Sequence, residues 1–146
     1  MERNMPDSCA DIVRAYDTYL YEMDAAGSRR IDAFLGRGGA ARERCQDDFM
    51  RALRDAVDAF LASEPEQGDV SAALEYMLST ASEHKKSGAA YWMLLASQGM
   101  ALPLIELLGP AGAAELRKKY DRLYPRRTRL PVQAAVADAL AAAEGA

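Results

Sequence analysis

The most concentrated chemistry in this chain is cationic. Residues 117–129 carry seven basic side chains: Arg117, Lys118, Lys119, Arg122, Arg126, Arg127 and Arg129. They stand in a chain whose formal net charge is −4. Arginine offers a planar fork that fits carboxylate or phosphate. Tyr120 and Tyr124 add ring faces beside the cations, a pairing used by single-strand nucleic-acid binders. Three uses follow: a solvated surface that answers its own acids, a dock for an acidic protein, or a site for nucleic acid or a phosphate ligand.

Spacing separates the cations. Glu115–Lys119 is an i,i+4 pair and Lys118–Asp121 an i,i+3 pair, so a helix gives those lysines local partners. Arg126, Arg127 and Arg129 have no such neighbour. They occupy a connector set between Pro125 and Pro131, where Tyr124 and Leu130 are pushed out of helix by the prolines that follow them. Part of their role would be to neutralise the last carbonyls of a helix ending near Tyr124. The residues outside 117–129 sum to −10. A field of that sign opposes non-specific attraction to nucleic acid. The acidic protein partner therefore leads, through Arg117, Lys118, Arg122, Arg126, Arg127, Arg129, Tyr120 and Tyr124. A nucleic-acid accessory role for the same surface is the alternative.

Other candidates are sparser. Glu106 stands among Leu102, Leu104, Ile105, Leu107 and Leu108. It either points outward on a short helix or is desolvated, as general acids often are. Tyr91 and Trp92 lie in an apolar run with Met93 and Met100. They are either core or the lining of a small-molecule pocket that would also take in Glu106, the basis of a third reading as a ligand sensor. The segment 36–40, Gly-Arg-Gly-Gly-Ala, precedes a helix as phosphate-cradling loops do. No strand pattern leads into it and no Gly-Lys-Ser/Thr follows, so it reads as a connector. His84 sits between Glu83 and Lys85 at a helix end, in water. One His and two Cys make no metal cluster, and no cofactor is implied. No nucleophile, base and oxyanion donor can be assembled, so an enzyme is the least supported class.

The elements that hold these residues are helical. Of the apolar half of the composition, 29 residues are Ala and 16 are Leu, against 11 Val, Ile and Thr together. Ala and Leu favour helix, and β-branched residues favour sheet. A length of 146 residues is enough for one domain with its own core. Cys9, Ile12, Val13, Tyr16, Leu20 and Met23 recur at helical steps, which predicts a helix over 7–25. Tyr19 and Tyr21 cannot both face inward with them. An exposed tyrosine beside that face is an interface feature, and a homodimer is one use for it.

A short segment after Ser28 would carry Ile31, Phe34 and Leu35. A second long helix spans 41–63, antiparallel to the first. A third spans 70–85, capped by Asp69 and ended by Lys85 and Lys86. A fourth spans 88–98. Ser97-Gln98-Gly99 breaks the pattern, Pro103 opens a short helix, Pro110 opens one to Tyr124, and Pro131 opens the last to Ala143. Gln67-Gly68 and Gln98-Gly99 stand 31 apart, but two units do not make a solenoid. Residues 87–105 carry no charge. Their breaks predict a buried helix rather than a membrane span. The N-terminus has no apolar signal region, and the two scattered cysteines fit a reducing compartment. The expectation is an all-α, irregular bundle of six to seven helices in one cytoplasmic domain, with 88–98 at its centre.

Overall fold

The computed structural model describes residues 5–28, 38–84 and 89–146, without the side chains of 26–28 and 38–41. Among the described residues there are six α-helices and no strand: α1 (Ala10–Ser28), α2 (Gly38–Ala62), α3 (Gln67–Glu83), α4 (Ala90–Ile105), α5 (Pro110–Leu123) and α6 (Pro131–Gly145). Short 3-10 turns precede α1 (Asp7–Cys9) and α6 (Arg126–Thr128). The all-α architecture follows the composition.

The helices stack as antiparallel pairs. Tyr19 of α1 stacks on Phe49 of α2 with centroids 4.5 Å apart, and Tyr16 meets the same ring edge-on at 5.2 Å. Ile12, Leu53, Val57 and Phe60 complete that seam. α3 pairs with α4, and α5 with α6. The chain start is tied to α3: Ser8 Oγ donates to the Asp69 carboxylate at 3.0 Å. Cys9 is buried and free, as is Cys45. Burial pushes both thiols above their ordinary range, with the Glu22 carboxylate adding to the effect at Cys45. That suits small core hydrophobes rather than nucleophiles.

α4 is the central element and is apolar nearly all round, as a buried helix must be. Here the structure corrects the sequence. Ser97-Gln98-Gly99 does not break the helix, and Pro103 lies in its last turn instead of opening a new one. Ser97 and Gln98 are fully buried because each has a partner. Ser97 Oγ donates to the Met93 carbonyl at 2.6 Å and accepts from the Tyr16 hydroxyl at 2.5 Å. Gln98 Oε1 accepts from the Tyr120 hydroxyl at 2.6 Å. Pro103 removes one donor to the Gly99 carbonyl, but Gly99 is exposed and water can take that place.

Other boundaries move less. α1 runs on through Gly27-Ser28, and α2 begins inside the glycine segment at Gly38. Ile31, Phe34, Leu35, Gly36 and the Lys85–Lys86 pair lie outside the described residues. α3 begins at Gln67, so Asp69 is in its first turn and does not cap it. Among the described residues, no helix is long and apolar enough to cross a membrane.

Candidate functional site

α5 forms because Pro110 starts it and Ala113, Leu116 and Tyr120 give it one buried stripe. That stripe decides where the cations point. Lys118 and Arg122 sit one turn apart on the exposed side. Arg117 sits on the flank toward α6, where its Nη1 lies 2.5 Å from Glu144 and its Nε 4.0 Å from Asp121. Lys119 reaches across to Glu75 of α3 at 3.2 Å. The expected Glu115–Lys119 and Lys118–Asp121 pairs do not form: Lys119 takes Glu75 instead, and Asp121 is held by Arg129 and Arg117, which leaves Lys118 without an acid among the described residues.

The connector divides its arginines. Arg129 is largely buried, and its Nε donates to the Tyr124 carbonyl at 2.9 Å. Its Nη2 holds Asp121, and the guanidinium lies 5.6 Å from the Tyr120 ring centre. It is the residue that neutralises the end of α5. Arg126 and Arg127 are exposed and make no ion pair among the described residues. Arg126 borders a groove of about 330 Å³ with Arg117, Asp121, Arg129 and Asp138.

Tyr120 and Tyr124, expected on the binding surface, are instead core residues at 1% and 8% exposure. Their rings pack on each other at 5.0 Å. The Tyr124 hydroxyl donates to the Leu78 carbonyl at 2.9 Å. Burial raises both phenols above the ordinary tyrosine value. Neither offers a face for a base to stack on. Of the eight residues expected to bind a partner, Lys118, Arg122, Arg126 and Arg127 stand free at the surface, while Arg117 and Arg129 serve the fold.

Tyr91, Trp92 and Glu106 do not converge. Glu106 is exposed just beyond the end of α4, roughly 22 Å along the helix from Tyr91. Trp92 is half-buried with its Nε1 buried and unpartnered. Tyr91 is 64% exposed and overlooks a cleft of about 250 Å³. The cleft lies where the end of α3, the first turns of α4 and α6, and Pro125–Thr128 meet. Its floor includes Leu94, Tyr124 and Gln133.

A second groove, of about 350 Å³, runs between α1 and α2. Asp11, Glu22, Asp48 and Asp55 line it, and its one described cation, Arg14, pairs with Asp11 at 2.9 Å. That rim was not among the sites expected from sequence, although the i,i+7 spacing of Asp48 and Asp55 places both on one face of α2. Among the described residues no group of His, Cys, Asp and Glu could hold a metal ion. Tyr21, at 78% exposure, is the outward tyrosine of α1, and Tyr19 is the inward one. No family model, curated protein or solved structure matches the chain.

Proposed function

We propose that this domain is a non-enzymatic interaction module that docks an acidic protein through Lys118, Arg122, Arg126 and Arg127. One observation carries the reading. Arg126 and Arg127 are left without a carboxylate on a connector that Arg129, Pro125 and Pro131 hold in place. Cations that serve only the fold are used up in it, as Arg117, Lys119 and Arg129 are. A braced connector loses little conformational entropy on binding, so bidentate arginine–carboxylate contacts there are realised more fully. The buried tyrosines favour protein over single-stranded nucleic acid, because stacking supplies much of the affinity of the latter.

The test is fluorescence anisotropy with a labelled poly-glutamate peptide and a labelled oligo-dT strand, each at low and high salt. The peptide should bind, and Arg126→Ala with Arg127→Ala should weaken it about tenfold. Unchanged peptide affinity in the double variant would sink the reading. Tighter binding of oligo-dT, with a salt slope that falls in the double variant, would transfer the surface to nucleic acid.

A further inference from the structure

The cleft beneath Tyr91 contains a hydrogen-bond donor that no described protein group engages. Gln133 is 4% exposed and sits in the first turn of α6. Its Oε1 accepts from the Leu130 amide at 2.7 Å, half of a capping box whose other half leucine cannot supply. That bond fixes which way the side-chain amide lies, with its oxygen toward the backbone. Gln133 lines the cleft, and its Nε2 has no partner among the described residues. That nitrogen is not one of the enclosed unpartnered atoms, so it opens into the cleft, where an acceptor can reach it.

Apart from the hydroxyl of Tyr91 at the exposed rim, the other polar groups of the wall are already donating. Ser82 Oγ donates to the Ser79 carbonyl at 2.6 Å, and Thr128 Oγ1 to the Pro125 carbonyl at 3.2 Å. The Tyr124 hydroxyl is spent on Leu78. Leu94, Leu123, Pro125 and the tyrosine rings supply apolar wall, and no ionised side chain lines the cleft among the described residues. The two fully buried donors without partners among the described residues, Trp92 Nε1 and Gln98 Nε2, do not line it.

From this we infer that the cleft is a binding site for a small neutral molecule with an apolar body and one carbonyl-type acceptor, which Gln133 Nε2 engages. At about 250 Å³ the cleft is smaller than the roughly 300–1,000 Å³ of drug-sized sites. The occupant is therefore of single-ring size. Its body lies against Leu94, Leu123 and Pro125, and Tyr91 forms the rim. The site shares the connector with the arginine surface but is lined by none of its four free cations, and it does not depend on that surface's function.

Acetophenone and ethylbenzene are suitable probes, since they share a shape and differ in the acceptor. Each is titrated into ¹⁵N-labelled protein while the Gln133 side-chain amide signals are followed. The wild type should bind acetophenone about fivefold more tightly than ethylbenzene, the worth of one net hydrogen bond. Only acetophenone should move the Gln133 amide protons downfield. Gln133→Glu keeps an oxygen for Leu130 and loses the donor, so it should bind both probes equally. Leu94→Trp fills the cleft with protein and should bind neither while keeping its helical circular dichroism. A wild type that binds neither probe, or does not distinguish them, overturns the inference. So does a Leu94→Trp protein that still binds. These two arms decide the matter even if Gln133→Glu fails to fold.

Discussion

Arg127 and Arg129 stand two positions apart and meet opposite fates. Arg129 lies across the Tyr120 ring, bonded to a backbone carbonyl and to Asp121. Arg127 extends into solvent. Arg129→Ala should therefore lower the unfolding free energy by about 1.5–3 kcal/mol, the range for hydrogen bonds to a charged group. Arg127→Ala should change it by less than about 0.5 kcal/mol. Urea unfolding of the two variants checks this, and equal effects would mean that the connector is not braced as described. Sequence alone could not separate these residues. Both are arginines in one short connector, and what distinguishes them is the carboxylate of Asp121, eight residues upstream of Arg129 and brought beside it only by the fold.

At the scale of the element, α4 shows where local reading fails. Polar residues and a glycine inside an apolar run are normally punctuation. Here the partners that make Ser97 and Gln98 interior residues are Tyr16 and Tyr120, which lie 81 and 22 positions away. No periodicity within the helix reports them. Where a helix has one apolar face and a plain boundary, as in α2, α5 and α6, the pattern located it to within a few residues. Gly99 supplies a test of the continuous helix. It is exposed, mid-helix, and an added Cβ there meets no atom within 4 Å. Gly99→Ala should stabilise the protein by about 0.5–1 kcal/mol, seen as a higher urea midpoint. A destabilised variant would restore the break that the sequence suggested.

At the scale of the molecule, the interior is rich in phenols. Burial raises Tyr16, Tyr19, Tyr120 and Tyr124 above the ordinary value, Tyr19 to about 12. In the unfolded chain these groups lose their protons near pH 10, while the folded state keeps them. The unfolded state then binds fewer protons, so stability falls as pH rises above 10, and the contribution of Tyr19 levels off near 12. Each buried phenol removes up to about 1.4 kcal/mol per pH unit in that window. Urea midpoints that stay level between pH 9.5 and 11.5 would contradict the burial of these hydroxyls. Apolar core residues such as Ile12, Phe49, Leu53 and Leu74 were legible from periodicity and the fold class from composition, whereas the burial of Ser97, Gln98 and Tyr124 was not. The cleft was not, because its wall draws on four helices and a connector, and its inner free donor belongs to a residue that looks like an ordinary helix start.

The hydroxyl contacts around α4 also bear on how the bundle would yield to force. A slide of α4 by one turn, about 5.4 Å, brings Met93 or Ala101 opposite Tyr16, and Leu94 or Leu102 opposite Tyr120. Ala101, Leu94 and Leu102 have no side-chain acceptor, and Met93 offers only a weak thioether sulfur. Greasy packing alone would let the helix slip between nearly equivalent positions. The phenols act instead as pins in matched holes, with one engaged setting. A pull along the helix axis must shear those pins together, so the interior should stay rigid up to a threshold and then give way at once.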